Sequence, residues 1–177
     1  MIKQISNGVN KTTITIALVI LAIVGLMLWG RSNASSAQPA NHAGAPQDGT
    51  ASTLSASETL YDFGTISMKN WTVNHLFTVT NNTQTTVQLQ SVYTSCMCTN
   101  AYLQTPKGEK GPFGMQGMGY VPPANETIGP GESREVKVVY DPNAHGPAGV
   151  GVIDRFVYLV DDKGGTLALE IKAVVTP

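Results

Sequence analysis

Residues 167–175, with the sequence LALEIKAVV, decide the fold class of this chain of 177 residues. Every second side chain in the stretch is apolar, in the order Leu167, Leu169, Ile171, Ala173 and Val175. Because successive side chains of a β-strand point to opposite faces, this period of two predicts a strand with one buried face. No stretch after residue 55 keeps a helical apolar period for three turns. We therefore expect β-structure throughout the C-terminal part.

Five further runs of β-branched and aromatic residues predict additional strands. They are residues 59–66, 73–80, 86–93, 135–140 and 153–160, and Gly, Pro, Asn and Asp residues separate them. Six or seven antiparallel strands predict an all-β, two-layer sandwich over residues 56–177. Its predicted core consists of Phe77, Val79, Leu89, Val138, Tyr140, Phe156, Leu169 and Ile171.

The N-terminal part has a different character. Residues 12–30 carry no charge and lie between Lys11 and Arg31. Nineteen helical residues span about 28 Å, close to the hydrocarbon thickness of a bilayer. With Lys3, this end has three cationic side chains and no acidic one, which favours a cytoplasmic location for residues 1–11. We expect a single-pass transmembrane anchor in the plasma (inner) membrane and a periplasmic or extracellular domain.

A cleaved signal peptide is the alternative to this anchor. Ser35, Ser36 and Ala37 offer small residues at which a peptidase could cut. Residues 31–55 are almost entirely small or polar. Such a segment buries too little surface to offset the entropy of ordering, so we expect a disordered linker.

Composition excludes several functions. The chain has 11 Lys and Arg against 12 Asp and Glu, for a net charge of −1, which gives no general attraction to nucleic acid. Two cysteines cannot build a disulfide-dense scaffold or a four-thiolate metal site. The sequence has no nucleophile elbow, no HExxH motif and no glycine-rich loop in a strand–helix context. We expect no enzymatic activity and no cofactor.

Five short motifs occur in a recognisable order. They are YDFGTI at residues 61–66, His75-x-Phe77-x-x-x-Asn81, SCMCT at residues 95–99, PGES at residues 130–133 and Val138-x-Tyr140-Asp141. This order resembles the bacterial domain-of-unknown-function family 1573 over about residues 57–175. The resemblance implies an immunoglobulin-like sandwich and export from the cytoplasm, and it implies no established activity.

Two features depart from the family pattern. Met97 replaces the central glycine of the family's Cys-Gly-Cys, and residues 106–123 lengthen the connection that follows Cys98. The Gly and Pro content of residues 106–123 opposes a continuous strand, and long loops often carry function. We predict an interaction loop that either covers the cysteine corner or contacts a partner. Its contact residues would be Phe113, Met115, Met118 and Tyr120, with Tyr102 beside them.

Cys96 and Cys98 are the strongest candidates for a pair of chemically active residues. In an extended strand their Cα atoms would lie about 6.6 Å apart, near the upper limit for a disulfide bond. Three interpretations stay open: a structural disulfide or packed thiols, a redox-active pair, or a soft metal site that includes Met115 and Met118 and suits copper(I). His75 shares a strand face with Phe77, which favours a partly buried structural histidine over a ligand.

The leading functional prediction is a non-enzymatic interaction or structural module of the cell envelope, with an envelope protein as partner. The alternative is an extracytoplasmic thiol-redox or copper-handling protein that uses Cys96 and Cys98.

Overall fold

The computed structural model describes residues 50–177, together with Ile14, Ile16, Ile20 and Leu21, which are helical. Within this described part of the chain, no helix is both long and apolar enough to cross a bilayer. The predicted cytoplasmic segment (residues 1–11), most of the predicted anchor (12–30) and most of the linker (31–55) lie outside the described residues.

Residues 50–177 form an all-β sandwich of two five-stranded sheets. The strands are β1 Leu54–Ala56, β2 Leu60–Ser67, β3 Val73–Asn81, β4 Val87–Thr94, β5 Thr99–Thr105, β6 Gly108–Phe113, β7 Glu126–Ile128, β8 Ser133–Tyr140, β9 Gly151–Asp161 and β10 Thr166–Thr176, with a 3₁₀ helix at Gly146–Gly149. One sheet has the order β1-β3-β8-β5-β6, and the other has the order β2-β10-β9-β4-β7. The predicted fold class is confirmed.

The expectation of purely antiparallel strands is wrong for one pair. β2 runs parallel to β10, with Leu60 opposite Glu170 and Ser67 opposite Thr176. A parallel pair needs a long connection, and here all the intervening strands of both sheets supply it. The periodicity of a sequence fixes which residues face the core, but it carries no information on strand direction.

Seven of the eight predicted core residues belong to the buried cluster between the sheets, which confirms them; these are Phe77, Val79, Leu89, Val138, Tyr140, Leu169 and Ile171. Phe156 is also buried, but it lies outside this cluster and stacks on Tyr158 at a centroid distance of 6.1 Å. Ile153, Val157 and Leu159 face the core instead. Since the strand has a period of two, Phe156 points to the opposite face of β9.

The folded domain begins earlier than predicted. Ala51 forms a β-bridge with Thr166, and Leu54 in β1 is 3% exposed and part of the core. The Ser52 hydroxyl donates a 2.7 Å hydrogen bond to Asp161. Residues 50–55 of the predicted linker therefore belong to the folded domain. Backbone pairing with Thr166 and burial of Leu54 fix them there, although their sequence shows no strand pattern.

Asp161 ties this N-terminal segment to the β9–β10 turn. Its carboxylate accepts hydrogen bonds from the Ser52 hydroxyl and from the backbone N–H groups of Thr53, Lys163 and Gly165. Burial by itself would raise the pKa of Asp161, but these hydrogen bonds outweigh burial and lower the pKa below its ordinary value of 3.8. Asp161 is only 1% exposed, whereas its neighbour Asp162 is exposed in the turn.

Asp161→Asn is expected to destabilise the fold by about 1–3 kcal/mol at pH 7. The amide N–H₂ that replaces one carboxylate oxygen would face N–H or hydroxyl groups that are themselves hydrogen-bond donors. A carboxyl with a lowered folded-state pKa contributes stability above its unfolded-state pKa and loses it as the pH falls through the folded-state value. The stability difference between the wild type and the variant should therefore narrow below about pH 4. Urea unfolding at pH 7, 5 and 3 measures this, with the exposed Asp162→Asn as the matched control. A difference that is constant over this range would contradict the account.

The sandwich has two distinct ends, separated by about 33 Å along β10. The end that we call the disulfide end consists of residues 68–72, 95–98 and 141–150. Met68 N–H donates to the Thr176 carbonyl, Asn143 Nδ2 donates to the Met68 carbonyl, and Asp141 N–H donates to the Cys98 carbonyl. The opposite end, which we call the tether end, consists of residues 50–52 and 162–165.

Candidate functional site at the disulfide end

Cys96 and Cys98 form a disulfide bond in the turn between β4 and β5, with a Cα–Cα distance of 5.2 Å. The expected spacing for an extended strand does not apply, since the chain bends after Thr94 and brings the two Cα atoms closer. The Thr94 hydroxyl lies 2.9 Å from the Cys96 carbonyl and 3.1 Å from the Thr99 carbonyl. Thr99 N–H also donates to the Cys96 carbonyl. These contacts fix the turn.

Two groups that the sequence did not indicate flank the sulfur atoms. His145 Nε2 lies 3.1 Å from Cys96 Sγ, and Arg155 Nε donates to Cys98 Sγ at 3.3 Å. Cys98 N–H also donates to Cys96 Sγ at 3.2 Å. The disulfide thus has an imidazole on one sulfur and a guanidinium on the other.

The elements around the turn position both flanking groups. Asp141 Oδ1 accepts a hydrogen bond from Asn143 N–H, and Gly146 N–H donates to the Asn143 carbonyl. This folded connection places the exposed His145 just before the 3₁₀ helix. Arg155 comes from β9, where its Nη1 donates to the Asp154 carbonyl.

The two sulfur-bearing residues differ in exposure. Cys96 is 8% exposed and Cys98 is 1% exposed, whereas Met97 between them is 48% exposed. A thiol approaching from solvent would therefore reach Cys96 before Cys98. Cys96 Sγ, Cys98 Sγ and a ring nitrogen of His145, which are all potential metal ligands, lie within 4.8 Å of one another.

Residues 106–123 do not form the single loop that we predicted. Gly108–Phe113 is strand β6, paired with β5 at the sheet edge, and Phe113 is 1% exposed. Gly111 makes this possible, because it has φ +131° and a Cβ atom there would lie 2.9 Å from the Ala101 carbonyl. The prediction of Phe113 as an interaction residue is wrong: it is a core residue.

The remainder of the segment, residues 114–121, lies beside the cysteine turn. Thr94 N–H donates to the Gly114 carbonyl, and the half-buried Met115 forms a bridge with Thr94. Met118 and Tyr120 are 59% and 87% exposed. Together with Met97 they line a shallow pocket of about 180 Å³, completed by Asn100, Pro112, Gly114, Met115, Gly119 and Val121. Tyr102 lies outside this pocket, and Lys137 Nζ lies over its ring, 4.6 Å from the ring centroid.

Exposed apolar side chains concentrate in this region. Nine large apolar residues between 50 and 177 are at least 43% exposed. Seven of them lie at the disulfide end, on the adjoining strand termini or on residues 114–121, namely Trp71, Met97, Met118, Tyr120, Val150, Val152 and Val174. Leu60 and Leu76 lie elsewhere, on β2 and β3.

The other candidate groups are structural. His75 stacks on Tyr61 at a centroid distance of 3.6 Å and pairs with Glu58 at 2.5 Å. At the tether end, a polar cleft of about 380 Å³ contains Lys110 and Arg134, but both pair with Glu126. Burial by itself would raise the pKa of Glu126, and the hydrogen bonds from the two cations lower it overall. These contacts join β6, β7 and β8.

Comparisons with known proteins agree with this fold. The model of the family "Protein of unknown function (DUF1573)" matches residues 54–115, the part of the chain that runs from β1 through the cysteine turn to Met115. No curated protein matches the sequence. A Porphyromonas gingivalis W83 protein of unknown function is similar in structure, with a TM-score of 0.50 and 17% identity over 71% of this chain and 48% of that chain. This likeness shows the fold alone.

Two further solved structures are less similar. The secreted serine protease VesC from Vibrio cholerae has a TM-score of 0.44 and 13% identity over 70% of this chain and 24% of that chain. The ASH/PapD-like domain 7 of human CEP192 has a TM-score of 0.44 and 12% identity over 78% of this chain and 96% of that chain. The chain thus spans less than half the length of the Porphyromonas gingivalis protein and of the Vibrio cholerae protease.

Proposed function

We propose a function from the site itself, because the family whose model matches residues 54–115 is one of unknown function. The protein is an anchored, non-enzymatic module that binds a cell-envelope protein through its disulfide end. Residues 12–30 are the anchor, residues 1–11 lie in the cytoplasm, and the immunoglobulin-like domain lies outside it. The disulfide supports this location, since disulfides persist in oxidising compartments. The uncharged span and its cationic flank support the orientation.

One observation carries the proposal: of the nine large apolar side chains between residues 50 and 177 that are at least 43% exposed, seven lie at or beside the disulfide end of the sandwich. Single exposed apolar residues are normal on a protein surface, whereas a concentration of them marks an interaction site. Trp, Tyr and Met are also the residue types enriched at interfaces. The N-terminal segment joins the domain at the tether end, so the proposed binding surface faces away from the point of attachment.

The test compares two sets of substitutions in the full chain. Trp71→Ser, Met118→Ser and Tyr120→Ser together remove three exposed groups from the proposed surface. Leu60→Ser with Leu76→Ser is the control, since both are exposed large apolar residues that lie on other parts of the surface, at 45% and 47% exposure. Thermal unfolding first establishes that both variants keep the wild-type fold. Quantitative mass spectrometry of proteins cross-linked in cells should then show a specific partner that is lost only from the triple variant. Equal recovery from both variants would overturn the proposal.

A thiol–disulfide exchange protein is the second candidate, favoured by the contact between Arg155 and Cys98. A donor thiolate would attack Sγ of Cys96, the more exposed of the two cysteines, to form a mixed disulfide, and Cys98 would leave as a thiolate. The Arg155 guanidinium 3.3 Å away would stabilise this leaving group. A second thiol of the donor would then displace Cys96, which releases an oxidised donor disulfide and two reduced cysteines.

The reduction potential tests this candidate. Arg155→Gln removes the cation beside Cys98 and should make the potential more negative by about 30–60 mV, the equivalent of one charge-assisted hydrogen bond. Lys172→Gln is the control, since this residue lies on β10 and pairs with Glu170. Equilibration with a dithiol redox buffer measures both variants. An unchanged potential in Arg155→Gln would remove Arg155 from the mechanism and with it the reason for this candidate.

A further inference from the structure

We propose that the reduced disulfide end binds one copper(I) ion through Cys96 Sγ, Cys98 Sγ and His145 Nε2. The proposal deepens the exchange candidate, because it requires the same bond to be reducible, and it is independent of partner binding. It keeps the two cysteines of the sequence-based expectation, and the imidazole of His145 replaces both expected thioether ligands, Met115 and Met118. Those two residues line the shallow pocket around Met97 instead.

The geometry already brings the three donors together. All three atoms lie within 4.8 Å of one another, and His145 Nε2 lies 3.1 Å from Cys96 Sγ. A metal bound at about 2.0–2.3 Å from each donor requires donor separations of about 3.5–4 Å. Once the S–S bond is broken, the two sulfur atoms need only separate to that distance, and the short turn with Cα atoms 5.2 Å apart allows this. His145 is exposed, so the imidazole can adjust without disturbing the core.

Ligand chemistry and charge both favour a soft monovalent ion. Thiolates select copper(I) and zinc among the common metals, and imidazole suits both. Two thiolates and one copper(I) carry a net charge of −1, which the Arg155 guanidinium beside Cys98 offsets. Zn²⁺ with the same two thiolates would form a neutral unit, which would leave the positive charge of Arg155 without compensation. Cys98 N–H also donates to Cys96 Sγ, which stabilises a thiolate there.

Formation of the site requires a reductant, which we assign to the class of thiol donors. Two donor thiols reduce the Cys96–Cys98 bond to two cysteine thiols and are themselves oxidised to one disulfide. Copper(I) binding then releases the two thiol protons, and the metal does not change its oxidation state. The oxidised protein has no thiolate to offer and should not bind copper(I).

The experiment uses the full chain, purified with detergent, reduced with a phosphine and kept free of oxygen. Copper(I) is supplied as its coloured bicinchoninate complex, and loss of colour reports transfer to the protein. We expect transfer of one equivalent to the reduced wild type, in the presence of excess Zn²⁺, and none to the oxidised protein. His145→Gln should weaken binding at least tenfold, since even indirect support of a ligand changes metal affinity by about 10–100-fold. His75→Gln is the matched control and should bind as the wild type does.

Three outcomes would overturn the proposal. They are failure of the reduced wild type to take copper(I), binding by His145→Gln as tight as that of His75→Gln, and displacement of copper(I) by Zn²⁺. Thiol counting before the titration verifies that Cys96 and Cys98 are reduced. A reducible protein that takes no copper(I) would contradict the metal site and leave the exchange candidate standing.

Discussion

Replacement of Asn81 by Ala is expected to destabilise the sandwich by about 3–4 kcal/mol, one of the two largest effects that the structure predicts. Asn81 is fully buried. Its Nδ2 lies 2.8–3.1 Å from the carbonyls of Thr85, Ile128 and Gly129, and its Oδ1 accepts hydrogen bonds from the N–H and hydroxyl groups of Thr83. Truncation would leave these buried groups without partners, and each costs about 1–3 kcal/mol.

Chemical unfolding of the full chain at pH 7 measures this loss. Asn82→Ala is the matched control, because Asn82 is the exposed neighbour and should change stability by less than about 0.5 kcal/mol. Asn81→Asp should be at least as harmful as Asn81→Ala, since it places a carboxylate against three carbonyl oxygens. A loss below 1 kcal/mol for Asn81→Ala would show that the bridge between β3 and the β7–β8 turn is not needed.

This bridge connects two of the motifs that the sequence contains. Asn81 ends the His75-x-Phe77 strand, and its backbone pairs with Gly131 and Glu132 of the PGES motif. Glu132 in turn accepts a hydrogen bond from Gly129 N–H, which closes the turn and lowers the pKa of this carboxyl. These motifs therefore hold the two sheets together.

Phe113→Ala is expected to produce the other large loss, about 3–5 kcal/mol, because truncation of a buried aromatic side chain leaves a cavity. Phe113 is 1% exposed and lies at the end of β6. Tyr120→Ala is the matched control from the same segment. Tyr120 is 87% exposed, so its removal should change stability by less than about 0.5 kcal/mol.

The two variants together locate the boundary between scaffold and surface within residues 106–123. Thermal or urea unfolding of each variant provides the comparison. Similar small losses for both would mean that β6 is not anchored in the core, and the whole segment would then be the loop that the sequence suggested.

Strands with alternating buried and exposed residues could be predicted from the sequence. Strands that are very short, or that contain Gly and Pro, could not. β3 and β10 show an apolar period of two because one face of each packs against the opposite sheet. β6 contains Gly108, Gly111 and Pro112, which normally weaken strands, and tertiary pairing with β5 overrides that tendency. β1 and β7 contain only three residues each, too few to show a period.

The cysteines of the candidate site, and the exposed Met118 and Tyr120 beside them, were predictable, but the two groups that flank the disulfide were not. A Cys-x-Cys pair is visible in any sequence, but His145 and Arg155 lie 49 and 57 residues from their sulfur contacts. Their approach depends on where the β8–β9 connection and β9 lie relative to the β4–β5 turn, which is tertiary information. His145 is one of two histidines in residues 56–177, and no sequence pattern joins it to the cysteines.

Photo-crosslinking in living cells tests the central claim, that the protein acts through its disulfide end. A photoreactive amino acid is placed in the full chain at Trp71, Met118, Leu60 or Leu76, one position at a time; the first two lie in the proposed surface and the last two lie outside it. The account predicts the same discrete protein adduct from Trp71 and Met118 and none from Leu60 and Leu76. Adducts from Leu60 or Leu76 alone, or no difference among the four positions, would contradict it.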